Sequence, residues 1–451
     1  CLFRCSVNLP NTKPLIMSYY DDASLMLLAS GGAQKDGKAY SIKPTDGSGD
    51  FTFTRGSNLS ATRVNASQLI EKGRENRLLQ SNQFDTTWIN ARSTETSGQS
   101  GYDGTSDAWL LESTATATSS YLKQNISNSG VYTISVYAKA GTSGWMTINT
   151  SGNQNAYFDL QNGVLGSKSS NVIDSSIESI GSGWHRCSAT LANYNDTYFF
   201  IANGNNNPIT NSGDNIYIQD SQLEQGLVAT DYIETGASTA QAGILENTPR
   251  FDYSGGASCP SLLLEPSRIN LFPYSEYING SDWALVGTAT TKTENAITSP
   301  EGVVNGIKLI GSSNADNNGV AESFTISAGA EAFSVFAKAG EIDILQIGFG
   351  GTFSDTYGNV NLTSGELEVE SGQTTTIEPF ADGWYRITCV ATATAGAGYW
   401  FVNIGDDPAM VRNGDYIGNG TDGLYVYGFQ TEYGSYPTSY IPTYGVSQTR
   451  A

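Results

Sequence analysis

The sequence predicts an all-β protein: a small N-terminal β arm followed by two tandem β-sandwiches. Three observations predict it. The first is an internal repeat. Ser135-Val136-Tyr137-Ala138-Lys139-Ala140-Gly141 returns as Ser334-Val335-Phe336-Ala337-Lys338-Ala339-Gly340, an offset of 199 (340 − 141). Gly183-Trp184-His185-Arg186 returns as Gly383-Trp384-Tyr385-Arg386, and Gln222-Leu223-Glu224-Gln225-Gly226 as Gln430-Thr431-Glu432-Tyr433-Gly434. Ordered matches with slowly drifting offsets mean two copies of one domain with small loop insertions. The second is composition: 15% charged, 39% hydrophobic, 50 glycines and 25 tyrosines in 451 residues, which suits short strands joined by polar turns. The third is that no window carries sustained helical periodicity.

The elements follow in order. Residues 1–16 read as a non-native or untranslated leader, with Met17 as the initiator. They lack the long apolar core of a signal peptide. Residues 17–75 form an N-terminal β arm. Asp46–Asp50 reads as a turn and Phe51–Arg55 as a strand. Ala61-Thr62-Arg63-Val64-Asn65 and Gln68-Leu69-Ile70-Glu71 read as further short strands. About 55 residues is marginal for an independent core, so this segment is expected to pack on a neighbour or on another subunit.

Sandwich 1 spans 76–236, with strands at Ala108–Glu112, Val131–Lys139, Trp145–Asn149, Ala156–Leu160, Trp184–Leu191, Tyr198–Ala202 and Asn215–Glu224. A structured connector covers 237–267, and sandwich 2 covers 268–451 in the same order. Eight or so strands in each copy fit a jelly-roll β-sandwich. Cys187 and Cys389 are expected to be buried free thiols, each in its own copy, and Cys259 lies in the connector.

Charge and chemistry narrow the function. A net charge of −21 opposes nucleic acid, and no apolar stretch approaches a membrane span. His185 is the sole histidine and its repeat counterpart is Tyr385, which argues against a catalytic role carried by the repeat. No motif selects a catalytic carboxylate pair among the 44 acidic residues. The expected class is therefore non-catalytic.

Binding candidates are few. Trp88, Trp184, Trp283 and Trp384 recur in both copies and read as core. Trp109, matched to Lys308, is expected to be exposed and to stack a sugar ring. Trp400 and Phe199, within Tyr399-Trp400-Phe401 and Tyr198-Phe199-Phe200, are the other glycan candidates. Glu224 and Glu432 recur on the last strand. With Asp220, they are the candidate ligands of a structural Ca²⁺, the one cofactor the pattern admits.

Two resemblances emerge. Asn76-Arg77-Leu78 with Phe84 and Trp88, and the closing strand Tyr217–Glu224, resemble the jelly-roll carbohydrate-binding modules of bacterial glycosidases. A more specific set spans most of residues 20–451. It comprises Thr52–Arg55, Ala61–Asn65, Leu69-Ile70-Glu71, Asn247–Tyr253, Cys259–Pro266, Ser439–Thr443 and Thr449-Arg450. Together these resemble a family of tailed-phage virion proteins, described as fibres, appendages or capsid-decorating proteins. The departure is a whole sandwich lying between Leu69-Ile70-Glu71 and Pro249-Arg250-Phe251.

The resemblance implies a virion-surface protein in homotrimers, partnered by other capsid or tail proteins and offered to surface glycans. A secreted or cell-surface carbohydrate-binding protein and a polysaccharide depolymerase fibre are the rival readings.

Overall fold

The computed structural model describes residues 58–450 apart from 153, 246–247, 279–282 and 287–289, plus strand backbones at Leu25–Leu28, Gly32–Lys35 and Lys38–Ser41. Those three strands form an antiparallel sheet. The leader, the turn at 46–50 and the strand expected at Phe51–Arg55 lie outside the described residues.

The regular secondary structure of the described residues is β strand apart from three short 3₁₀ turns. Sandwich 1 is two six-stranded antiparallel sheets. One sheet orders Val164–Lys168, Asn155–Asp159, Trp145–Asn149, Asn195–Ala202, Tyr121–Ser127 and Ile89–Ala91. The other orders Val172–Gly181, Trp184–Ala192, Val131–Ala140, Asn215–Gln225, Ala108–Ser113 and Ser93–Gln99. Inward side chains alternate along each strand, so Leu122, Ile134, Ile148, Phe158, Phe199 and Leu223 make one core.

Sandwich 2 repeats the centre. Gly329–Lys338 lies between Tyr385–Gly405 and Gly423–Tyr433, as Val131–Ala140 lies between Trp184–Ala192 and Asn215–Gln225. Even the irregularity recurs: both central pairings carry a bulge, at Asp220 (φ 50°) and at Gly428 (φ 63°). A left-handed residue is needed there, and Asp and Gly are among the few that supply it cheaply.

The strand Tyr385–Gly405 is 21 residues long and pairs with both layers. Small residues at Ala391–Gly398, with Gly396 at φ 146°, let it bend between them. In sandwich 1 the equivalent chain breaks at Asn193 (φ 50°) into two strands.

The arm Thr62–Val64 and Ile70–Lys72 forms a hairpin that packs on sandwich 2. Its Ile70 joins Phe336, Trp384, Tyr427 and Tyr440 in a buried cluster outside the main core. The connector follows the arm: Val64 N–H donates to Asp252 Oδ1 at 2.7 Å, and Tyr253 N–H to Val64 O at 3.0 Å. Immediately beyond, Arg74–Asn76 pairs antiparallel with Ala240–Ala242. Sandwich 1 thus leaves and re-enters the chain through two adjacent strands. It is topologically an insert in a module made of arm, connector and sandwich 2. No helix among the described residues is long and apolar enough to cross a membrane.

Candidate functional site

Three of the segments that carry the virion-protein resemblance, scattered in sequence, meet in space at Glu265 of a fourth. Arg250 of Pro249-Arg250-Phe251 pairs with Glu265 at 2.9 Å, and Arg450 of Thr449-Arg450 at 3.2 Å. Ser439 of the closing motif donates its N–H (2.6 Å) and its hydroxyl (2.7 Å) to the same carboxylate. Arg250 also donates to Thr62 O in the arm, at 3.1 Å. Burial pushes the Glu265 carboxyl up, but Arg450, Ser439 and Arg250 more than reverse it and hold it below its usual range. A small cavity of about 180 Å³ borders this knot, between arm, connector and sandwich 2, with Arg63, Ile70, Phe336, Glu378 and Arg386 among its walls.

A second buried charge cluster joins the insert to the module. Lys72 Nζ lies 2.5 Å from Glu276 and 2.6 Å from Glu301 and donates to Tyr444 Oη at 3.0 Å. Arg74, two residues on, pairs with Glu301 and reaches Glu224 of sandwich 1 at 3.6 Å. Burial lowers the Lys72 pKa, yet the two glutamates overcome it and raise it.

The repeated polar residues do the same structural work in each copy. Asn76 donates to Ser221 O and Ile233 O; Asn270 donates to Phe429 O and Ile441 O. Arg186 bonds Ser135 Oγ and Thr230 O, as Arg386 bonds Ser334 Oγ and Thr438 O. His185 and Tyr385 fill the same slot. A Cβ on Gly163 would meet His185 Cε1 at 2.7 Å, and one on Gly365 would meet Tyr385 Cε1 at 2.7 Å.

The candidate Ca²⁺ ligands are placed apart and already engaged. Glu224 accepts from Thr230 N–H, Thr230 Oγ1 and Gln222, and Glu432 from Thr438 N–H, Thr438 Oγ1 and Gln430. Both carboxylates pin the loop that follows the last strand. Asp220 instead accepts from Tyr102 Oη at 2.8 Å, and burial, with Asp107 nearby, pushes its pKa up to about 6. No group of three or more His, Cys, Asp or Glu among the described residues is arranged to hold a metal.

The expected stacking residues are corrected by the structure. Trp109, Trp400 and Phe199 are 6%, 0% and 0% exposed. Trp109 pairs with Ile218, and Ile307 pairs with Val426 at the equivalent place (426 − 218 = 208 = 432 − 224). Its counterpart is therefore Ile307, not Lys308. A one-residue slip in the match moved the indole to the wrong face. The indole N–H donates to Asn82 O at 3.0 Å, and its ring meets Phe84 edge-on. Trp88, Trp184, Trp283 and Trp384 are buried, as are the free thiols of Cys187 and Cys389.

The aromatics that do reach the surface flank those buried ones. Tyr198 and Phe200 point away from the core that holds Phe199, and Tyr121, opposite Phe200, joins them. Ring centroids lie 4.6 Å (Tyr121–Phe200), 5.3 Å (Tyr121–Tyr198) and 5.8 Å (Tyr198–Phe200) apart. All three rings are half-buried. Lys123 sits 5.3 Å over Tyr198, and Ile89, opposite Lys123, is 45% exposed.

The matching face of sandwich 2 is closed. Its longer connection, 406–422, folds Arg412 over Phe401 at 5.1 Å, and Phe401 is buried. Amides lock this cap down: Asn413 N–H donates to Gln346 Oε1 at 2.7 Å, and Asn359 Nδ2 to Met410 O at 2.7 Å. In each aromatic run the expected residue, Phe199 or Trp400, is the buried one, and the longer connection 406–422 was the sequence signal that the two faces differ.

No family model matches the sequence, and no curated protein is similar to it. Among solved structures, the plant receptor-like kinase ANX2 aligns over 82% of this chain and 97% of its own, at 6% identity and a TM-score of 0.20. A vicilin from Solanum melongena aligns over 83% and 86%, at 9% identity and a TM-score of 0.10. At these scores neither likeness carries an argument.

Proposed function

We propose that this chain is a non-catalytic structural protein of a tailed-phage virion, displaying a jelly-roll domain at the virion surface. In this reading the arm, connector and sandwich 2 form the assembly platform. Sandwich 1, inserted through its two-stranded neck, is the displayed domain. Homotrimers and contacts with capsid or tail proteins belong to the same proposal.

The observation that carries it is the convergence of Arg250, Ser439 and Arg450 on Glu265, with Arg250 also donating to Thr62 O of the arm. Motifs that resemble virion proteins and lie far apart in sequence thus share one structural knot. Asn76, Arg186 and Glu224 in one copy, and Asn270, Arg386 and Glu432 in the other, are likewise occupied in holding strands and loops. That pattern supports a scaffold, because catalytic groups need reactive atoms left available to substrate.

Mass spectrometry of gradient-purified virions from a phage encoding this chain tests the reading. The chain is expected at a fixed copy number per particle. Its recovery only from the soluble lysate would overturn the proposal.

A further inference from the structure

We infer that the open outer face of sandwich 1, built on Tyr121, Tyr198 and Phe200, is a binding site for an uncharged polysaccharide. The inference deepens the display reading and rests on it.

The face differs from its repeat where a ligand would need it to. Tyr121, Tyr198 and Phe200 lie within one ring spacing of each other on adjacent strands, on the side facing away from the core. In sandwich 2, Ala321 stands opposite Phe401 where sandwich 1 has Tyr121 opposite Phe200, and the cap carrying Arg412 closes the surface. Keeping three half-buried rings together on an outward-facing sheet leaves aromatic surface in water that the second copy covers at Phe401.

The chemistry of the patch selects a sugar. The rings are tilted or edge-on to one another, with interplanar angles of 31°, 44° and 73°, and offer aromatic surface to the C–H faces of pyranoses. Polar groups surround them: the Tyr198 hydroxyl donates to Asp196, and Asn149, half-buried, stands opposite Tyr198 on the next strand. Aromatic surface with hydroxyl and amide partners at its rim suits an amphipathic ring better than an aliphatic partner surface.

Net charge favours a neutral polymer. Two cations border the rings: Lys123 over Tyr198, paired with Asp196 at 3.8 Å, and Arg92 over Tyr121 at 5.7 Å, whose Nε donates to Ser119 O at 2.7 Å. The chain as a whole carries −21, which repels a polyanion. Each contact is shallow, so retention comes from several copies engaging one polymer.

The test is affinity electrophoresis of the full chain through native gels containing galactomannan, xyloglucan, dextran or laminarin, with alginate and hyaluronate as acidic polymers. Retardation by at least one neutral polymer and by neither acidic one is expected. Tyr198→Ala and Phe200→Ala should each weaken it roughly tenfold, and Tyr399→Ala in sandwich 2 should leave it unchanged. Should Phe200→Ala unfold the chain, Tyr198→Gln at the rim provides the same reading.

No retardation by any neutral polymer, retardation by the acidic polymers alone, or full retention in Tyr198→Ala overturns the inference. So does a self-association that Tyr198→Ala abolishes without any polymer binding. If the chain is present in virions while these results are negative, the ligand assignment falls and the display reading stands.

Discussion

Lys72 and Glu276 are 204 positions apart in sequence and 2.5 Å apart in space, in a site where both side chains are almost wholly buried. The pair ties the arm to sandwich 2. Removing Lys72 would strand the Glu276 carboxylate and leave Glu301 with Arg74 alone. Lys72→Met is therefore expected to cost about 3–5 kcal/mol in urea unfolding. Combining it with Glu276→Gln should recover much of that loss, because that buried pair of charges goes together while Glu301 keeps Arg74. Equal loss in the single and double variants would show that packing, not charge, sets the cost.

Gly130 and Gly329 are repeat counterparts with very different surroundings. Both have positive φ, 99° and 141°. A Cβ on Gly130 would fall 1.7 Å from Tyr444 O, whereas one on Gly329 meets nothing within 4 Å. The Tyr444 carbonyl also accepts from Val131 N–H at 2.8 Å. Gly130→Ala should thus be the more destabilising of the two, by about 2 kcal/mol or more. Matching melting temperatures for the two variants would contradict the contact between sandwich 1 and the C-terminal segment.

Glu331 gives a pH dependence. Burial, only partly offset by the Thr431 hydroxyl, pushes its carboxyl from 4.5 up to about 7. Its Oε2 makes no hydrogen bond. In sandwich 1 the equivalent position is Tyr132, whose hydroxyl accepts from Arg77, while Leu271 stands where Arg77 would be. A raised carboxylate pKa disfavours the charged folded state. Stability is therefore lost as pH rises from about 4.5 through about 7, and the full penalty is present above that. Glu331→Gln should raise stability at pH 8 by on the order of 3 kcal/mol and change little at pH 4. Calorimetry at the two pH values checks it, and an equal gain at both would refute the titration.

Chelation bears on the candidate Ca²⁺ ligands. The Glu224 and Glu432 oxygens are taken by threonine and glutamine donors. EDTA is therefore expected to leave the melting temperature unchanged, while Thr230→Val and Thr438→Val should each lower stability by about 1–3 kcal/mol. A drop in melting temperature on chelation, reversed by Ca²⁺, would reopen the metal reading.

The legible part of this fold was the part that repeats. Val131–Ala140, Trp145–Asn149 and Asn215–Gln225 alternate apolar and polar residues and occur twice, so period and repetition agreed. Ser93–Gln99 and Val172–Gly181 were not legible. They are edge strands with mostly exposed side chains, so no buried face imposed a pattern. The site failed for a related reason. In Tyr198-Phe199-Phe200 all three residues are aromatic, and composition cannot say which face is wet. Register decided it, placing Phe199 inside and its neighbours outside. The knot at Glu265 was visible only as separate motifs, because salt bridges between residues 250, 265 and 450 leave no trace in local periodicity.

Arm, connector and sandwich 2 form one module into which sandwich 1 is inserted through the Arg74–Asn76 and Ala240–Ala242 pair. The most direct test joins Arg74 to Ala242 through a short Gly-Ser linker, deleting the residues between, and follows thermal unfolding by circular dichroism. The account predicts a single cooperative β-sheet transition, with the Glu265 knot and the Lys72 pairs to Glu276 and Glu301 retained. A chain that shows no cooperative transition would contradict it, and would make the two sandwiches one inseparable unit.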